Sequence, residues 1–183
     1  MKMESPAFTL QDLRNVFSAE LAVIDRQSVI DRLRSASARL RAIAASVPEQ
    51  PLTNAGDWNA KEVLAHIAVA SKGWGTIAYL VANGRITELV GEQVITQRDP
   101  LGMAMMKLSV GEITNEATHA HDRTLAYLER SPIEAWIKEF DWELGRGVAA
   151  DLFRLPITAH LEQHVGQLEA ALGSAALSPA VSA

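Results

Sequence analysis

Apolar residues recur every third or fourth position through most of this chain, and that spacing restricts it to helices. One stripe runs Val29, Leu33, Ala36, Leu40, Ile43 and Val47. A second is Ala60, Val63, Ile67, Trp74, Ala78 and Val81, and a third begins Met103, Met106, Val110, Ile113 and continues to Leu128. The fourth is Ile157, Leu161, Val165, Leu168 and Leu172. Each lines one face of a 3.6-residue coil and must be buried against another element. Strand signals are nearly absent. The best candidate, Arg85-Ile86-Thr87-Glu88-Leu89-Val90, is too short and isolated to found a sheet. The class is all-α, and four long amphipathic helices predict a four-helix bundle.

Capping and breaking residues set the expected boundaries. Residues 1 to 8 read as a loose end. Thr9 followed by Asp12 reads as an N-cap with an acidic third residue, opening an extra N-terminal helix to about Ile24. The stripe loses register at Asp25-Arg26-Gln27-Ser28, so a second helix starts there and ends before Pro48. A single bent helix is the alternative. Residues 48 to 57 form a loop, and Asn59 with Glu62 makes a capping-box start for a helix that Asn83-Gly84 stops. A polar connection ends at Asp99-Pro100, and one long helix is expected from about 101 to 129. Ser131-Pro132-Ile133-Glu134 predicts a short inserted helix, with Ser131 as cap, carrying Trp136. A Trp142-to-Gly147 loop then enters the last bundle helix, Val148 to Leu172, where Pro156 predicts a kink or a late start. The expectation is a single domain over 1–175, with its core bundle at about 23–172. The tail, 176–183, is expected to be disordered.

With 48% hydrophobic residues in 183, the chain can bury a sizeable core. Its net charge is -5 and no basic run interrupts it, which argues against nucleic acid and anionic membrane as partners. There is no cysteine, so disulfides, thiolate metal sites and cysteine nucleophiles are excluded. No apolar leader or membrane-length stretch is present, and a soluble, cytoplasmic protein is expected.

The chemistry-bearing residues are histidines. His160 and His164 stand four residues apart at the buried edge of the last stripe, stacked one turn apart on one helix. His66 stands at the edge of its own stripe. Three imidazoles from two helices would leave a divalent metal an open coordination position, the arrangement of catalytic sites. His121 is a weaker fourth candidate near a helix margin, and His119 points away from the core.

Two segments also carry a family resemblance. Gly56-Asp57-Trp58-Asn59-Ala60-Lys61-Glu62-Val63-Leu64-Ala65-His66-Ile67 resembles the W-s-x-x-E-v-L-x-H opening of the second bundle helix in the DinB/YfiT-like superfamily. His160-Leu161-Glu162-Gln163-His164-Val165-Gly166-Gln167-Leu168 is similar to that family's H-x-x-x-H-x-G-Q final helix. The resemblance implies a three-histidine divalent-metal site, zinc or nickel, with His66, His160 and His164 at the ligand positions. Families that it resembles include bacillithiol-dependent thiol transferases and the N-terminal domain of mycothiol-dependent maleylpyruvate isomerase. It therefore implies an enzyme in which metal activates a thiol or water towards a small electrophile, with a low-molecular-weight thiol as a possible co-substrate. The alternative is a non-catalytic metal-binding or partner-binding bundle. The added N-terminal helix departs from the family pattern, and its surplus apolar residues suggest a homodimer. Gln167 and Glu62 are candidates to orient ligating imidazoles, although Glu62 can equally be the capping-box acid alone. Trp142 and Arg146 either line a pocket or serve as ordinary packing and surface residues.

Overall fold

In a computed structural model of the protein, residues 26–50, 58–90, 100–142 and 145–176 are described. The expected helix at 9–24 and the tail beyond 176 lie outside them, as does most of the 48–57 loop. The described chain is mainly helical, as the stripes require. Four long helices form the body: α1 (Arg26–Ala44), α2 (Ala60–Ala82), α4 (Val110–Arg130) and α7 (His160–Ala176). Short helices α3 (Pro100–Met105), α5 (Ile133–Trp136) and α6 (Ala149–Leu152) lie between them. Among the described residues no helix is long and apolar enough to cross a membrane.

Four arginines on α1 reveal how the bundle runs. Arg32 and Arg39, seven apart, clasp Glu162 and Glu169, also seven apart, so α1 and α7 are parallel. Arg34 and Arg41 pair with Glu129 and Asp122 in falling order, so α1 and α4 are antiparallel. From Lys72 with Glu116 to Tyr79 with Tyr127, α2 advances alongside α4 in the same direction. The order is up, down, down, up. Two consecutive parallel helices need a return path along the bundle, which accounts for the long connection between Asn83 and Ser109. These exposed pairs are each worth less than about 1 kcal/mol. Burial holds the body together: Leu33, Leu40, Leu64, Ile113, Leu128, Leu161 and Leu168 are fully enclosed.

The capping box at Asn59 is present in both directions. Asn59 Oδ1 accepts from Glu62 N at 2.9 Å, and Glu62 returns the bond to Asn59 N at 2.8 Å. At the far end of α2, Gly84 takes φ +65°, the left-handed conformation that closes a helix.

Several expectations are corrected. The helix expected over 101–129 is broken at residues 106–109 and restarts at Ser109, where a second capping box with Glu112 caps α4. Met103, assigned inward, is 57% exposed. The inserted helix is capped by Pro132 rather than Ser131. The Trp142-to-Gly147 loop is part of a hairpin, β2 (Glu139–Trp142) against β3 (Gly145–Val148), with β1 (Glu88–Leu89) parallel to β2. Phe140 and Leu89 are buried and root this small sheet on the bundle. The last helix extends to Ala176, beyond the expected Leu172.

Pro156 has its effect where expected, in an unexpected form. Residues Phe153–Ala159 form a π-helix that joins α6 to α7. Pro156 cannot donate to the ladder, and a wider coil accommodates its ring. The Thr158 hydroxyl donates to the Phe153 carbonyl at 2.8 Å, satisfying an acceptor that a regular ladder would serve.

Candidate metal centre

His66 stands in the second turn of α2, one turn past Glu62 of the capping box that orients that end. His160 and His164 occupy the first two turns of α7, immediately after the π-helix. The structure brings all three to one point. His66 Nε2 and His160 Nε2 are 2.9 Å apart, and His164 Nε2 is 3.0 Å from His160 Nε2. His66 and His164 are buried and His160 is partly so. Among the described residues this trio is the only group of three or more His, Cys, Asp or Glu placed to hold a metal ion together.

Protonation chemistry tests whether a cation fits. Gln167 Oε1 accepts from His164 Nδ1 at 2.7 Å, which puts the His164 proton on Nδ1 and turns the Nε2 lone pair to the cluster. A ring nitrogen carries either a proton or a lone pair, so His160 Nε2 cannot both donate to one neighbour and accept from the other. A shared cation satisfies three converging lone pairs at once. Nitrogens about 2.1 Å from one tetrahedral ion lie roughly 3.4 Å apart, so the triangle needs to open by only a few tenths of an ångström. The residues fit a divalent metal.

Electrostatics point the same way. Burial, followed by the charges of His164 and His66, holds His160 well below the ordinary imidazole value. Burial pushes His164 down to about 4, partly countered by its bond to Gln167. Both rings are therefore neutral at physiological pH, the state a metal requires.

Trp58, part of the motif around His66, walls the cluster. Its ring meets His66 edge-on at 4.9 Å between centroids and lies parallel to His164 at 6.4 Å. The signal was its place one residue before the cap of the helix carrying His66. Of the other candidates, Glu62 closes the capping box described above. Trp142 packs against Trp74 at 6.1 Å, and Arg146, exposed on β3, pairs with Asp141 at 3.2 Å.

His121 is corrected from the helix margin to the core. It is 1% exposed, far from a solvated edge, and lies between two hydroxyls: Ser71 Oγ at 2.8 Å and Ser37 Oγ at 3.1 Å. Burial lowers its pKa from 6.5 to about 4. Above pH 6.5 the ring is neutral in both folded and unfolded chains and contributes no slope. As pH falls from there towards 4 the unfolded chain gains a proton that the folded chain refuses, so stability is lost. The expected loss from this residue is about 2–3 kcal/mol. Urea midpoints of metal-free protein should fall across that window, and more shallowly in His121→Gln. An unchanged slope in the variant would refute the assignment.

A family model described as the DinB superfamily matches residues 32–168. No curated protein and no solved structure matches the chain.

Proposed function

The chain belongs to the DinB superfamily, and from that premise we propose that it is a metal-dependent enzyme acting on a small electrophile by thiol transfer or hydrolysis. The observation that carries the reading is the convergence of three imidazoles on one point. Among the described residues no carboxylate joins the group as a closing ligand, which favours an open site over a structural one. Zinc or nickel is the proposed ion, since imidazole suits both. A divalent ion held there supplies Lewis acidity, which makes a thiol or water nucleophilic near neutral pH.

The chain's own residues perform the remaining work. His160 and His164, on consecutive turns of one helix, fix two bond vectors, and His66 supplies the third from α2. Gln167 holds the His164 tautomer, and Trp58 shields one flank from water. The partners proposed are a small-molecule substrate, a low-molecular-weight thiol of the cytoplasm, and a second copy of the chain. The homodimer rests on the surplus apolar residues of 9–24. Light scattering should return about twice the 19.9 kDa of one chain, and a monomer at micromolar concentration would remove it.

The activity is tested by elemental analysis of protein prepared without chelator or metal-affinity resin, then by a panel of thiols with a haloarene and an activated ester. Stoichiometric metal and turnover that a chelator abolishes and the ion restores are expected. A fully loaded protein that turns over none of these substrates would instead be a metal-binding bundle without catalysis.

A further inference from the structure

Away from the histidine cluster, a cavity of about 300 Å³ opens between α2 and α4, with Phe153 of the π-helix contributing to its lining. None of His66, His160 and His164 lines it. Its volume is at the lower end of those that hold small organic ligands.

Gly75 is part of its lining. Glycine inside a helix is destabilising relative to alanine, and here a Cβ would come within 3.1 Å of Thr124 Oγ1 on the opposite wall. At the inner end the Ser71 hydroxyl is held by buried His121, which is held in turn by Ser37. Thr76 and Thr124 spend their protons on the Lys72 and Ala120 carbonyls, so both present oxygen lone pairs rather than donors.

The remaining walls are aromatic and cationic. Tyr79 meets Tyr127 edge-on at 5.1 Å, and Tyr127 stacks on buried Phe153 at 6.1 Å, a continuous run of ring surface. At the rim stand Lys72 and Arg123, both exposed. Lys72 is paired with Glu116 at 2.5 Å, and Arg123 has no carboxylate at salt-bridge distance among the described residues. Among the described residues at the rim, two cations stand against one carboxylate, Glu116, and both lower its pKa.

We propose that this cavity is a second ligand site, for a small aromatic carboxylate whose ring lies against Tyr79 and Tyr127, backed by Phe153, and whose carboxylate meets Arg123 beside Lys72. Aromatic faces supply the apolar contact, and a guanidinium at the rim supplies the bidentate partner that a carboxylate selects. The site does not rest on the metal reading, because none of its lining residues belongs to the cluster.

Phenylacetate is the probe, titrated calorimetrically into the full chain, with the neutral amide phenylacetamide for comparison. Saturable binding of the acid is expected, unchanged by chelator and by His66→Ala. Arg123→Ala should weaken it about tenfold, as should replacing the acid by the amide, and the two losses should not add. Gly75→Val should abolish binding. In case that variant fails to fold, Tyr79→Ala, on an exposed residue, should weaken binding several-fold with an unchanged melting curve. Absence of phenylacetate binding in the unaltered protein would overturn the proposal. So would binding that disappears with chelator or with His66→Ala, which would place the anion at the histidines, or binding that both Arg123→Ala and Tyr79→Ala leave unchanged.

Discussion

Replacing any one of His66, His160 or His164 by alanine is expected to empty the site of divalent metal while the bundle still folds. Each ring gives one Nε2 to a shared point, and removing one leaves at most two protein ligands. Affinity should fall well beyond the roughly tenfold to hundredfold expected when an orienting partner is lost. Gln167→Ala supplies that comparison directly, because its amide oxygen accepts from the far nitrogen of His164 and is not one of the three converging groups. His119→Ala, on an exposed helix face, is the control. Folding should survive because the body is held by the leucine and isoleucine layers rather than by the cluster. Metal content and helical circular dichroism on all five variants decide the matter. Full retention in any of the three, or loss only in the control, would refute the ligand assignment.

Trp136→Ala should cost about 3–5 kcal/mol, a large share of the roughly 5–15 kcal/mol that holds such a domain together. The indole is 1% exposed and lies parallel to Phe153 at 5.6 Å between centroids. It hangs from a four-residue helix with no side-chain cap, so packing rather than local propensity keeps that segment in place. Its buried Nε1 finds no hydrogen-bond partner among the described residues. Trp136→Phe keeps most of the ring contact and removes that unmet donor, so it should lie within about 1.5 kcal/mol of the parent. Urea unfolding followed by circular dichroism measures both. A loss below about 1 kcal/mol for the alanine variant would show that Phe153 is held without it.

The residues that could be read in advance were those whose partners are close in sequence. Asn59 and Glu62 make their capping box within one turn, and His160 and His164 share a helix face, so spacing alone specified their relation. His66 could be placed at an edge, and its meeting with His160 is a long-range event that bundle logic suggested and the family resemblance made specific. The hairpin Glu139–Val148 was hidden because its strands are four residues long, with only Phe140 buried along β2, and β1 joins from fifty residues away. The break before α4 had a local signal. Ser109 with Glu112 is a capping box, but the apolar spacing of Met103, Met106 and Val110 runs unbroken through it and masked the stop. His121 had one too, four residues after Ala117 and three before Thr124, which is the middle of the buried stripe. The helix directions were coded in the seven-residue spacing of arginines on α1 and acids on α7, a pattern that means nothing until both helices are in place.

Considered as a length of chain, the π-helix Phe153–Ala159 is slack. A coil with more residues per turn absorbs one that a regular helix would have to expel, and the side chains after it are rotated into a new phase. His160 and His164 begin immediately after that stretch, so their orientation towards His66 is set there and not by the hairpin upstream. A shift of register in the hairpin upstream would therefore be taken up in those seven residues before it reached the three imidazoles. Aim and anchorage are thus divided: the wide coil phases the last helix, while buried Trp136 and Phe140 fasten the segment ahead of it to the bundle.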